Sequence, residues 1–321
     1  MHVPDGFLTG TVSAGAAVAS AGGIAAALRQ TRAHLADKRL PLAGLMAAGI
    51  FVLQMLNFPV VAGTSGHLLG GALAAIVLGP WMGLLVVSVV VIVQAIVFAD
   101  GGLIVMGANV LLIAIVPALV GWAVFRAVRS ITPANRTWVL VASFVAALLS
   151  VPASAMAFVI LYALGGQGGA PLGALTIAML GVHVLIGIGE ALITTAVIGG
   201  LLAYRPDLVA GAEDLGSGRE RTRSERTAVG VGMAIAVLLL VVAPFASANP
   251  DGLESVAEEL GFDTTAMDSA VADSPVADYT VAALGEAGLS VALAGLLGIV
   301  ITLAVMAAIT WYVRGRRTSD A

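Results

Sequence analysis

Residues 67–99 read HLLGGALAAIVLGPWMGLLVVSVVVIVQAIVFA, and how this stretch is parsed decides the fold. Its first part, 67–79, is apolar but too short for the roughly 20 residues with which a helix crosses a bilayer. It stops at Gly79-Pro80, where proline has no N–H to continue a helix. A short or half helix is therefore expected there, buried against protein rather than lipid, because lipid cannot satisfy an interrupted backbone. The second part, 82–99, is a full span without a charge. Working outward, further apolar runs predict helices near 7–28, 41–58, 104–128, 138–163, 174–203, 227–246 and 287–313. The expected fold class is an all-α polytopic membrane protein with about eight full spans plus one short or half helix.

Composition points the same way. Hydrophobic residues make up 60% of the chain and charged residues 11%, against roughly 25% charged in a soluble domain. A water-facing surface cannot be covered with so few charges, so the lipid bilayer is the expected environment and a multi-pass place in the cell membrane the expected location. Abundant glycine and alanine suit close helix packing in lipid. Cysteine is absent, which excludes thiolate metal sites and leaves nitrogen and oxygen as ligands.

All 15 basic residues fall into four groups: Arg29 to Arg39, Arg126 to Arg136, Arg205 to Arg226, and Arg314 to Arg317. Placing all four on the cytoplasmic side gives a consistent topology if 67–79 and 82–99 together enter and return. The N-terminus is then extracytoplasmic and the C-terminus cytoplasmic. The outer loops carry Asp5, Asp100 and the stretch from Asp251 to Glu286, with nine acidic residues and no basic one. That stretch reads either as a field drawing cations inward or as a solvated loop kept acidic by the same asymmetry.

The chain opens Met1-His2-Val3-Pro4-Asp5-Gly6-Phe7, with no basic leader, and Met1 is expected to be retained before the bulky His2. A free α-amine, the backbone nitrogen of His2 and its imidazole Nδ1 can close adjoining chelate rings. A fourth ligand such as another imidazole completes a square-planar nitrogen site, suited to Ni2+ or Cu2+, with low-spin Co2+ also possible. The topology puts His67, in the turn Gly63-Thr64-Ser65-Gly66-His67, on the same side as His2. On its own, His67 reads as a helix-capping or interfacial histidine.

Together, the opening heptapeptide and the run Gly-Thr-Ser-Gly-His-Leu-Leu-Gly-Gly at 63–71 resemble the CbiM/NikM family, the substrate-binding membrane components of energy-coupling-factor transporters for cobalt and nickel. The resemblance covers about residues 1–205. It implies that Ni2+ or Co2+ is carried as the transported substrate, with no organic cofactor. It also implies metal held by the amine of Met1, the backbone nitrogen and imidazole of His2, and His67. The implied partners are a transmembrane coupling subunit and cytoplasmic ATPase subunits; nucleic acid is not among them. Beside the ligands, Asp5 either accepts a hydrogen bond from a ligating imidazole or caps the first helix. Thr64 and Ser65 either orient His67 or cap the short helix, while Gln94 and Asn109 either line the cavity or join helices.

A polar linker at 206–226 separates this domain, 1–205, from a second module at 227–321. Asn249-Pro250-Asp251-Gly252-Leu253-Glu254 resembles the PDGLE motif of the two-helix CbiN/NikN-type auxiliary subunit, so the chain looks like a fusion of the two. Docking of a partner or internal packing would each explain the small-residue stripe Gly15, Ala19 and Gly23.

Within a predicted span, His183 and Glu190 stand seven residues apart on one helical face. They read as a proton or metal path or as buried polar contacts between helices. The first of these readings supports an alternative function, an ion-coupled secondary carrier or channel. No Walker A run is present, so ATP hydrolysis is expected from partner subunits, and no H-E-x-x-H signature or Ser-His-Asp constellation suggests an enzyme.

Overall fold

A long apolar segment in lipid must close its backbone hydrogen bonds within itself, and helix is the single-segment solution. The computed structural model describes residues 1–31, 40–61, 63–215, 246–285 and 288–317. Its helices are α1 (Gly10–Thr31), α2 (Leu40–Met55), α3 (Gly71–Leu78), α4 (Pro80–Val97), α5 (Met106–Ser130), α6 (Arg136–Gly165), α7 (Leu172–Tyr204), α8 (Gly252–Leu260) and α9 (Gly288–Arg317). A single turn of π-helix, Val110–Ile115, lies within α5 just before Pro117, whose missing N–H interrupts the ordinary ladder. Short antiparallel strands, Phe58–Pro59 and Ser65–Gly66, hold the loop that carries His67.

Among the described residues, six helices are long and apolar enough to cross a membrane: α1, α4, α5, α6, α7 and the Gly288–Ile309 part of α9. The protein is a multi-pass membrane protein. The span expected at 41–58 folds as the shorter α2, and the helix expected at 227–246 lies outside the described residues but for Ala246.

The sequence 67–99 folds as two pieces. All eight residues of α3 are buried. Gly70, at φ +78°, makes the turn into α3, a left-handed conformation that a side chain would disfavour. Gly79 closes the helix by donating to Ala75 O at 2.9 Å. Pro80 then opens α4 in the first turn, where its lack of an N–H costs nothing.

Two regions depart from the sequence reading. Helix α1 begins at Gly10 rather than near residue 7, because residues 1–8 are not helical: the chain turns at Gly6 (φ +93°), and on either side of the turn Asp5 pairs with Met267 and Leu8 with Gly166. The segment after 246, read as loop, contains α8. Its start is fixed by a capping box in which Asp251 accepts from Leu253 N and Glu254 N while Glu254 accepts from Asp251 N. On α1, Gly15 and Ala19 are exposed and Gly23 packs on Ile115.

Short turns make α5, α6 and α7 antiparallel neighbours. Arg126, Arg129, Arg136 and Arg205 therefore share one end of the bundle, where Arg136 donates to Gly199 O at 2.8 Å. The N-terminal segment meets the opposite end, where Gln167 N donates to Phe7 O.

Candidate metal centre

The first residues of the chain are interior residues. Met1 is 3% exposed and Val3 0%. An extended strand entering a helical bundle needs partners for its backbone, and Asn109 of α5 supplies them. Its Oδ1 accepts from Val3 N at 2.7 Å, and its Nδ2 donates to Val3 O at 3.0 Å. Ser154 of α6 donates to the Met1 thioether at 3.7 Å. The Asp5 carboxylate accepts from the backbone N–H groups of Leu103, Ile104 and Val105 at 3.1, 2.9 and 3.2 Å. A Cβ at Gly102 would fall 2.1 Å from Asp5 Oδ1, so this approach requires glycine. Asp5 thus ties the N-terminus to the 103–105 turn, with its carboxylate taken up by these three N–H groups rather than by the His2 ring or the start of α1.

His67 is fixed from both sides. Upstream, Ser65 N and Oγ donate to Pro250 O and Asn249 O, each at 2.8 Å, and the Thr64 hydroxyl lies 2.9 Å from that of Ser255. Thr64 and Ser65 therefore bind the C-terminal module to the loop. Downstream, Glu190 of α7 accepts from Leu69 N at 2.7 Å and Gly70 N at 3.0 Å. The His67 ring donates from Nδ1 to Leu68 O at 3.0 Å, which leaves the Nε2 lone pair free for a ligand.

That lone pair faces the amine of Met1, 2.5 Å away. Metal–nitrogen bonds of about 2 Å at right angles put neighbouring ligand atoms about 2.8 Å apart, so the pair has nearly the spacing of adjacent ligands. The His2 and His67 rings stack with centroids 5.1 Å apart and planes 21° from parallel. His2 Nε2 lies 3.2 Å from Gln94 Oε1, and His2 Nδ1 lies 3.1 Å from Asp100 Oδ1. Met1, His2 and His67 are therefore brought together. Among the described residues no group of three or more His, Cys, Asp and Glu side chains could hold a metal. A nitrogen site here depends on the terminal amine and a backbone nitrogen.

The second module reaches into the same place. Asp251 forms an ion pair with the Met1 ammonium, and its Oδ2 lies 3.8 Å from His67 Nε2. Tyr279 donates to Asp100 Oδ2 at 2.5 Å. Burial, reinforced by the Met1 ammonium, lowers both imidazoles to about 3, with His2 adding to the effect on His67. Both rings are neutral at physiological pH, the form that binds metal. Burial alone would raise the Asp251 carboxyl, but the Met1 ammonium and His67 hold it below the ordinary carboxylate range.

His183 and Glu190 are also buried. The ring of His183 donates from Nδ1 to Met179 O at 2.8 Å, and its Cε1 faces Gly252. The sequence reading did not assign Asp251, Asp100 or Tyr279 to the site. Asp251 stood in the PDGLE motif and Asp100 among the acidic residues of the outer loops, while Tyr279 carried no signal.

Residues 2–208 match the family model described as CbiM, cobalt uptake substrate-specific transmembrane region, and residues 226–315 match the PDGLE domain. A putative metal transport protein of Haloquadratum walsbyi is 42% identical over 209 residues, covering 65% of this chain and 93% of that protein. A putative fused nickel transport protein of Archaeoglobus fulgidus is 37% identical over 65% of this chain and 68% of its own length. The cobalt transport protein CbiM of Geobacter sulfurreducens is 31% identical over 81% of this chain and 77% of its own. Among solved structures, a transition metal transporter superposes with a TM-score of 0.56 at 28% identity, covering 63% of this chain and 93% of that one.

Proposed function

The chain belongs to the CbiM family of cobalt and nickel transport components, and from that premise we propose that it captures Ni2+ or Co2+ outside the membrane at Met1, His2 and His67. The amine of Met1, the backbone nitrogen and Nδ1 of His2, and Nε2 of His67 are the ligands. The observation that carries this reading is the 2.5 Å approach of the Met1 amine to His67 Nε2 inside the protein. A terminal amine is ordinarily a solvated surface group. Here Asn109, Asp5 and Ser154 draw it inward to a ring whose other nitrogen is already engaged.

The cargo enters as a cation and displaces the proton of the amine. Removing the amide proton of His2 adds a negative charge beside the metal, and the neutral imidazoles add none. The Asp251 carboxylate, which pairs with the Met1 ammonium, remains to balance the metal's charge. An extracytoplasmic N-terminus and about eight spans fit the separation of the arginine-bearing end from the site. The division into 1–205, the linker 206–226 and the module 227–321 fits the two family matches.

Transport is driven by ATPase subunits through a transmembrane coupling subunit, with this chain as the substrate-binding component. Full-length protein purified with its native N-terminus should carry close to one Ni2+ or Co2+ per chain. Reconstituted alone, it should not accumulate metal, and ATP-dependent uptake should appear when the partner subunits are added. Metal-free protein after exposure to both ions would refute the site. ATP-independent uptake by this chain alone would refute the coupling.

A further inference from the structure

The ring of His2 has two nitrogen-bearing edges, and the metal takes only one of them. With Nδ1 assigned to the cargo, the neutral ring keeps its proton on Nε2, and that N–H calls for an acceptor inside the protein. Gln94 Oε1 lies 3.2 Å from Nε2. Asp100 stands at the other edge, 3.1 Å from Nδ1, where the metal itself must sit, so it does not orient the loaded ring from there.

The backbone around His2 is pinned without regard to the ring. Asn109 brackets Val3, Gly102 N donates to Val3 O at 2.9 Å, and a Cβ at Gly101 would fall 3.4 Å from His2 Cβ. The stack on His67 sets the plane of the imidazole, with the two rings 21° from parallel. A stack is nearly indifferent, however, to a half-turn of the ring about its Cβ–Cγ bond. That turn exchanges Nδ1 with Cδ2 and Nε2 with Cε1, and it puts carbon where the metal binds. The carbonyl of Gln94 is not indifferent, because after the half-turn it would meet a C–H in place of an N–H.

Gln94 is the one side-chain amide in the apolar helix α4, and it is fully buried. A buried amide is costly unless hydrogen bonds offset its loss of water. The hydroxyl of Ser88, in the same helix, turns back to Leu84 O at 2.8 Å. Gln54 of α2 joins two segments of the bundle by donating to Leu69 O at 2.8 Å. The side-chain oxygen of Gln94 goes instead to the ring of a ligand.

We propose that Gln94 is the positioning residue of His2: its carbonyl accepts the Nε2 proton and holds the ring in the orientation that presents Nδ1 to the metal. This rests on the reading of Met1, His2 and His67 as the metal site. The two imidazoles are then supported differently. Main chain holds His67 through Leu68 O, whereas a replaceable side chain holds His2. Removing an outer contact of this kind commonly lowers metal affinity by about 10–100-fold.

The test uses the full chain in detergent with its native N-terminus and Ni2+ as the probe. Calorimetry reads affinity. A square-planar nickel chelate is diamagnetic, so NMR of protein carrying isotope-labelled histidine reads the ring protons. In the loaded wild type, His2 should carry a proton on Nε2 that exchanges slowly with water, and His67 one on Nδ1. Gln94→Met, close in size but without the carbonyl, should bind Ni2+ at least about tenfold more weakly. Its His2 proton should exchange rapidly, while the His67 proton stays as it was. Gln94→Glu returns an oxygen to Nε2 and should recover affinity to within about threefold of wild type. Wild-type affinity in Gln94→Met would overturn the proposal. An equal loss in Gln94→Glu would do the same, since the oxygen would then not matter. A loaded wild-type protein without a slowly exchanging His2 Nε2 proton would overturn it even if neither variant folds. Failure of the wild-type chain to bind Ni2+ would instead count against the metal site itself.

Discussion

The pair His2 and His67 and the pair His183 and Glu190 are both buried, yet they are wired in different ways. In the first pair, each ring has one nitrogen turned toward the amine of Met1 or the carboxylates around it, and the rings stack. In the second pair, both oxygens of Glu190 accept backbone N–H groups of the segment just after His67. The intramembrane carboxylate therefore serves the loop, and the loop carries the ligand. An ionisable residue inside a span is a reasonable candidate for a transport path, but here the alternative secondary carrier loses the carboxylate it would need. Location in the membrane said less about function than the identity of each hydrogen-bond partner.

The contrast can be broken most severely at the N-terminus. One glycine placed ahead of Met1 moves the amine out of chelating position, and Ni2+ content after purification should fall to background. An extended protein that still bound the metal tightly would falsify the amine as a ligand.

Acid should act on the same pair next. His2 and His67 stay neutral down to about 3, so they do not titrate between neutral pH and about pH 5. Binding there must still release protons from the amine and the amide nitrogen. Affinity should fall as pH drops, by about tenfold per pH unit for each proton released. Calorimetry at neutral and mildly acidic pH checks this: a slope of only about tenfold per pH unit would remove the amide nitrogen from the ligand set, and a flat profile would remove the amine as well.

Glu190→Ala should have a moderate effect on both folding and binding. It leaves two buried N–H groups unpaired, at about 1–3 kcal/mol each. The melting temperature should fall, and Ni2+ binding should weaken as the loop loosens. Glu190→Gln, which keeps one acceptor, should lie between. Normal stability with loss of transport alone would return Glu190 to a path. The smallest effect belongs to His183→Phe, expected to change Ni2+ affinity by about twofold or less. A large loss there would show that the two pairs act together.

Much of the architecture was readable because lipid leaves few options. Apolar runs located the described apolar helices to within a few residues, and Gly79-Pro80 marked the break between α3 and α4. The shortness of 67–79 also led to its burial against protein, which all eight residues of α3 display. The distribution of basic residues put His2 and His67 on one side, the family resemblance implied a shared site, and the two rings do stack. What could not be read were contacts between residues far apart in sequence. Nothing near Glu190 indicates that it will bond Leu69 and Gly70, about 120 positions earlier. Asp5 offered a choice between an imidazole and a helix start, and its carboxylate went to three N–H groups at 103–105. The ion pair of Met1 with Asp251 joins the two modules; both residues stood in motifs the sequence displayed, but nothing in either motif indicated that they would meet.

That ion pair has a consequence for how the protein works as one polypeptide. Met1 and Asp251 are joined by covalent chain, so their encounter does not depend on two proteins finding each other in the plane of the membrane. The local concentration of the carboxylate at the amine is set by the tether, and stays the same whether the cell makes many copies or few. The ratio of ligand-bearing to covering module is held at one to one. A bacterium or archaeon with a handful of such transporters would lose none of them to dilution.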